Sequence, residues 1–312
     1  MTMKIPIINR KGGVAKSTTA INLGAALAQA GELGIARRDY RTLIIDLDPQ
    51  ASTSYTLTGG HEGEGPHLGH VLIDGMHIED AIRSTTTPNL HLIAACEILG
   101  DEEELVRIAL AAEITDEQRN RFMRRFRTRL RDALSMLQTP IDVVLIDCPA
   151  GVGLPLSLAM TAGDRFLIPS KVDRLGRLYC FLERLIALRA ASPYPMAQLL
   201  GIVLTDLNYQ LSDTADREAE IRSSYGPAVC ETVVRRNVTI ERAQEAFRTI
   251  FEEDPLLRST GAQCYRDLAA EVLLRGIDSG IDPADLSEEV RLRGTRLGLL
   301  RSSPTDVLTV AA

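Results

Sequence analysis

Asn9-Arg10-Lys11-Gly12-Gly13-Val14-Ala15-Lys16-Ser17-Thr18 decides the fold of this 312-residue chain. It follows a short apolar run, Ile5-Pro6-Ile7-Ile8, and opens an Ala-rich segment of helical pattern. Strand, loop and helix in that order are the setting of a phosphate-binding loop. There, successive backbone N–H groups turn inward onto phosphate oxygens, and the helix N-terminus adds the positive end of its dipole. Gly12 and Gly13 let the backbone approach closely, Lys16 neutralises phosphate charge, and Ser17 offers a hydroxyl ligand to Mg²⁺. The ordinary spacing G-x-x-x-x-G-K-[ST] fails at both glycines, where Arg10 and Ala15 stand. Ala15 removes freedom at one backbone position, which matters if φ is positive there. A surplus lysine, Lys11, precedes Lys16. Of 35 Lys and Arg residues only Lys4, Lys11, Lys16 and Lys171 are lysines. Two of the four in one loop argue for a particular kind of nucleotide switch.

Two more motifs follow in order. Leu43-Ile44-Ile45-Asp46-Leu47-Asp48-Pro49-Gln50-Ala51-Ser52 runs from an apolar strand into two acids. Acids at the end of a buried strand are costly unless they face a ligand. Val143-Val144-Leu145-Ile146-Asp147 is four apolar residues and then Asp, the pattern that holds a Mg²⁺-bound water in nucleotide hydrolases.

Apolar runs of strand length occur at residues 4–9, 42–46, 90–94, 142–147, 165–169, 199–204 and 228–233. They are near-continuous rather than alternating, as strands covered on both faces require. With helical segments as right-handed crossovers, they predict an α/β fold: a doubly wound, mostly parallel sheet with helices on both faces. Its ligand belongs at the C-terminal strand ends. Residues 1–275 form the expected nucleotide-binding domain. Residues 276–312 form a helical extension and a flexible tail, with the Ser302-Ser303-Pro304 step ending ordered structure. Residues 32–41 lengthen the link between the first helix and the second strand.

Composition sets limits. The net charge of −7 rules out a globally basic nucleic-acid binder, so any DNA contact needs a local patch. Five scattered cysteines with no C-x-x-C pair point to reduced thiols in a cytoplasmic protein. His61, His67 and His70 read as a solvated loop rather than a metal site. No apolar run approaches the ~20 residues needed to span a bilayer, and the N-terminus lacks a signal-peptide core.

Together the three motifs resemble the ParA/MinD family of P-loop ATPases, whose deviant loop carries the extra lysine and tolerates Ala at position 15. The Pro49-Gln50-Ala51-Ser52 continuation resembles the ParA branch. The resemblance covers about residues 3–275 and implies ATP and Mg²⁺ as cofactors. Residues 11–18, Lys11 to Thr18 including Val14, then hold phosphate. Ser17, Asp46 and Asp147 serve the metal, and Asp48 positions the attacking water with Lys11 and Lys16 in catalytic roles. Asp206, Asn208, Arg236 and Asn237 correspond to the base-reading loops. Pro149-Ala150-Gly151 departs from the family's Pro-Pro-Ser, leaving the second switch loosely defined.

The family implies a homodimer sandwiching ATP, with Lys11 reaching the other subunit's phosphates. It further implies non-specific DNA binding, a ParB-like centromere-binding partner and a nucleoid location without membrane. Arg222, Arg235, Arg242 and Arg248 are the candidate DNA contacts. Arg119 to Arg131, seven arginines on one expected helix, read as a solvated face balanced by Asp101-Glu102-Glu103-Glu104.

The alternative is a MinD-like membrane-associated positioning ATPase, which needs a basic amphipathic C-terminal helix. Residues 290–301 offer Leu and Arg but no clean stripe. An iron–sulfur reductase relative needs a bridging Cys pair, and none is evident. A tyrosine-kinase relative needs a C-terminal Tyr cluster, but the last Tyr is Tyr265. An arsenite-pump relative needs two phosphate loops.

Overall fold

The computed structural model describes residues 2–61, 65–101, 105, 115–172, 175–211 and 213–300. Eight strands form one sheet: β1 (Met3–Ile7), β2 (Thr42–Asp46), β3 (Arg83–Ser84), β4 (Leu90–Ile93), β5 (Val143–Asp147), β6 (Arg165–Lys171), β7 (Gln198–Leu207) and β8 (Val229–Arg235). Their order is β3-β4-β2-β5-β1-β6-β7-β8. Every neighbouring pair is parallel except β3 with β4. The seven apolar runs are therefore strands of one sheet. The eighth strand, β3, is two polar residues on the edge and carries no apolar signal.

The helices among the described residues are α1 (Lys16–Ala28), α2 (Ser52–Leu57), α3 (Leu68–Leu72), α4 (Asp116–Phe126), α5 (Arg129–Ser135) and α6 (Leu154–Ala162). They continue with α7 (Leu175–Ala191), α8 (Thr214–Tyr225), α9 (Val238–Glu245), α10 (Ile250–Glu253), α11 (Thr260–Arg275) and α12 (Glu288–Arg296).

Successive strand residues face opposite sides, and both sides are buried. Met3, Ile5, Ile7, Ile44, Val143 and Leu145 pack with Leu23 and Leu27 of α1 and Leu268 and Val272 of α11. Leu43, Ile45, Val144 and Ile146 pack with Phe126, Leu130, Leu158 and Phe181 on the other side. Helix α1 is buried almost all round, which explains its lack of an apolar stripe. It lies so close to the sheet that a Cβ on Gly24 would meet Ile44 Cδ1 at 2.7 Å.

The arginine-rich segment is two helices rather than one, broken at Arg127 and Thr128. Arg129 lies over the Phe122 and Phe126 rings, 5.9 and 5.2 Å from their centroids. Its balancing acids Glu102, Glu103 and Glu104 fall outside the described residues.

Residues 276–300 pack onto the sheet's first face. Ile281, Leu286 and Val290 are buried there, and Leu286 bridges Ala36. The link at 32–41 is thus a docking strip for this extension, with Arg38 paired to both Asp285 and Asp142. The Ser302-Ser303-Pro304 step lies outside the described residues.

Candidate functional site

Parallel strands bring the three motifs to one edge. Ile7 at the end of β1 stands opposite Asp147 at the end of β5, and Asp147 stands opposite Asp46 at the end of β2. The loop between β1 and α1 is pinned on both flanks. Asn9 Nδ2 donates to the Pro169 carbonyl at 2.7 Å, and Thr205 Oγ1 donates to the Val14 carbonyl at 3.1 Å. Within the loop, Gly13 has φ +68° and Ala15 has φ +63°. Ala15 therefore sits where an L side chain is strained by about 1 kcal/mol. Apart from the adjoining residues of the chain, no described atom lies within 4 Å of where a Cβ on Gly12 or Gly13 would stand. That open space admits a phosphate.

Lys16 is buried, and its ammonium donates to the Lys11 carbonyl at 3.1 Å. Burial lowers its pKa, while nearby Asp147 and Asp48 push the other way. Lys11 itself lies on the exposed rim.

The two strand-end acids are fully buried and differ in what they accept. Asp46 accepts from Ser54 N–H at 2.8 Å, Ser54 Oγ at 2.7 Å and Asp48 N–H at 3.0 Å. Both its oxygens are spent ordering the segment from Asp48 to Ser54. Asp147 accepts from Thr53 Oγ1 at 2.7 Å through Oδ2. Its Oδ1 is buried with no hydrogen-bond partner among the described residues. An orphaned carboxylate oxygen near the Ser17 hydroxyl fits a hydrated divalent cation. The donor set therefore suits Mg²⁺ at Ser17 and Asp147, with Asp46 behind. Burial raises the pKa of both acids, Asp46 more strongly because charged Asp147 adds to the penalty. Asp48 is half-buried and accepts from Gln50 N–H at 3.0 Å.

A cleft of about 480 Å³ opens over this edge, lined by Gly12, Gly13, Lys16, Asp48, Lys171 and Arg236, among others. That volume suits a nucleotide-sized ligand. Ala15, Ser17, Thr18, Asp206 and Asn237 also line it; Lys11, Val14, Asp46, Asp147 and Asn208 do not. Asn208 turns into its own loop, where Oδ1 accepts from Gln210 N–H at 3.1 Å. Asn237 caps α9 by accepting from Thr239 N–H at 2.8 Å. Asp206 pairs with Arg236 and Lys171.

The four DNA candidates separate. Arg222 is tied down: it pairs with Glu218 at 2.9 Å and donates to the Cys230 and Glu231 carbonyls. That network fastens α8 to β8. Arg235 stacks over Tyr209 at 5.1 Å and lines the cleft. Arg242 and Arg248 are exposed on and just after α9.

Several residues here escaped the sequence reading. Thr53 and Ser54 hold the two buried acids. Gln244 Nε2 donates to Thr18 Oγ1 at 2.6 Å, joining α9 to the phosphate loop. The signal for the first pair was present, as hydroxyls at the start of a helix after Asp-Pro-Gln-Ala. For Gln244 there was none. His67 and His70 cap α3 through their Nδ1 atoms. No cluster of three metal-ligating side chains occurs among the described residues. Nor is any described helix long and apolar enough to cross a membrane.

Comparison with known proteins gives a consistent result. A family model described as an AAA domain matches residues 2–179. The chain is 33% identical over 282 residues to the chromosome partitioning protein ParA of Caulobacter vibrioides, covering 88% of this chain and 95% of that one. It is 32% identical over 275 residues to the sporulation initiation inhibitor protein Soj of Bacillus subtilis, covering 87% and 98%. Among solved structures, it resembles the septum site-determining protein MinD complexed with Mg-ADP from Pyrococcus horikoshii. There the TM-score is 0.66 at 26% identity, covering 90% of this chain and all of that one.

Proposed function

Because the chain belongs to the ParA/MinD family of P-loop ATPases, we propose that it is a DNA-partition ATPase working as a nucleotide-gated dimer. It is an ATPase that uses ATP with Mg²⁺. The observation that carries the reading is convergence. The phosphate loop and Asp48 line one cleft, and Asp147 stands behind it at the end of β5, beside the ends of β1 and β2.

Phosphoryl transfer to water needs positioning and charge stabilisation more than covalent chemistry. Lys16 and the loop N–H groups bind the phosphates. Ser17 and Asp147 hold the metal, which when bound neutralises charge on the phosphate oxygens. Asp46 fixes the 48–54 segment, and Asp48 orients the attacking water from its half-exposed place in the cleft. Asn237 and Arg236 border the base. Residues 1–275 are the ATPase domain and 276–312 its extension.

Lys11, on the rim, serves the partner subunit's phosphates, so dimerisation follows the presence of ATP. The dimer binds DNA non-specifically at the nucleoid through Arg242 and Arg248, with Arg235 nearer the cleft. A ParB-like partner stimulates hydrolysis and so releases it. The test is a DNA-binding titration with ATP, ADP and no nucleotide at two salt concentrations. Binding is expected only with ATP and falls steeply with salt, because it reaches phosphates. Binding that is absent with ATP, or indifferent to salt, overturns this reading.

A further inference from the structure

Asp206 stands on the wall of a cleft built for phosphate, where a carboxylate repels the ligand. The ends of β6 and β7 that carry Lys171 and Asp206 are fastened to the phosphate loop, by Asn9 on Pro169 and Thr205 on Val14. Asp206 takes two cations. Arg236 Nε and Nη2 donate to its two oxygens at 2.7 and 3.0 Å, and Lys171 Nζ lies 2.6 Å from Oδ2. Its backbone is left-handed, φ 56°, a conformation Asp and Asn adopt more readily than most residues. The Arg236 fork holds the Asp206 carboxyl down to about 2, with Lys171 adding to it.

The two cations are held differently. Arg236 makes a planar two-point contact, which resists exchange. Among the described residues Lys171 makes a single contact, from a flexible four-carbon stem, and it is partly exposed on the cleft wall. A polyphosphate carries more charge than Asp206 and competes for the looser cation.

We propose that Lys171 is a phosphate-binding lysine of this cleft, held in reserve by Asp206 and passed to the nucleotide's phosphates on binding, while Arg236 remains on Asp206. The inference rests on the ATPase reading and adds a positioning role for Asp206, which sets how freely Lys171 moves.

The test measures affinity for a fluorescent ADP analogue and for a non-hydrolysable ATP analogue. It compares the wild type, Lys171→Met, Asp206→Asn and the double variant, with thermal unfolding of each. Lys171→Met is expected to weaken binding about tenfold, the loss of one charge-assisted contact. Asp206→Asn suits the left-handed backbone and is expected to tighten binding about threefold or more, because Lys171 is released. The double variant is expected to match Lys171→Met alone. A purely structural ion pair moves both single variants in the same direction, and that result overturns the proposal. A gain from Asp206→Asn that persists in the double variant assigns it to Arg236 and overturns it equally. Lys171→Gln repeats the comparison should Lys171→Met unfold. If the wild type binds neither analogue, or Lys16→Ala binds as well as wild type, the ATPase reading itself fails.

Discussion

Asp46 and Asp147 are the residues whose chemistry is most exposed to test. They face each other on adjacent strands, fully buried, and burial raises both pKa values. The folded protein therefore keeps protons that an unfolded carboxylate releases above about pH 4. The unfolded state binds fewer protons, so stability falls as pH rises from that range towards neutrality. The pair's contribution is fully present below the unfolded value and lost as pH passes the raised folded ones. Asp147→Asn removes one charge and leaves the Thr53 contact possible. The nucleotide-free variant is expected to be more stable than wild type at pH 7.5, by about 1 to 3 kcal/mol, since each tenfold change in a group's acidity is worth about 1.4 kcal/mol. The advantage shrinks towards pH 5, and Mg²⁺-dependent ATP turnover is lost. Denaturant melts at both pH values check this; an advantage equal at the two excludes the buried-charge account.

At the scale of elements, the strands were legible because a doubly covered parallel strand is nearly all apolar, and seven such runs stand in the chain. The polar edge strand β3 carried no such mark. Contacts made across the fold were not legible either. Arg222 looked like a surface cation until its carbonyl partners on β8 were in place. The extension hid its three core residues, Ile281, Leu286 and Val290, among charges. Helix α11 shows why such charges are tolerated. Glu271 is fully buried, and it accepts from Glu231 N–H, Thr232 N–H and the Arg275 guanidinium, each at 2.9 Å. Arg275 also donates to the Leu200, Pro227 and Val229 carbonyls, locking α11 onto β7 and β8. Breaking one side of a buried pair is far more damaging than replacing both. Arg275→Ala is expected to cost about 3–5 kcal/mol of unfolding free energy. Nucleotide affinity should be unchanged while the variant remains folded, because the lock lies away from the cleft. A loss below about 1 kcal/mol in urea unfolding shows that the pair is idle.

At the scale of the whole molecule, charge decides what a dimer requires. Each copy carries a net charge of −7, and apposing two phosphate-laden clefts adds more negative charge at the junction. Such a pair closes only where cations from each copy meet the other's phosphates. The four lysines divide by place. Lys4 pairs with Asp164 at 2.9 Å, at the start of β1 and away from the cleft edge. Lys16 is buried in the loop, Lys171 lies on the cleft wall, and Lys11 stands on the exposed rim. Lys11, the exposed one beside the loop, is the lysine proposed to cross the junction. Lys11→Ala is therefore expected to keep part of the nucleotide binding, which Lys16 and the loop supply, and to lose ATP-dependent dimerisation. Asp48→Ala is expected to do the reverse, binding ATP and dimerising but not hydrolysing it. Light scattering with ATP and with ADP separates the two. Equal dimerisation of Lys11→Ala and wild type removes the trans role of Lys11, and the charge at the junction must then be met by other cations.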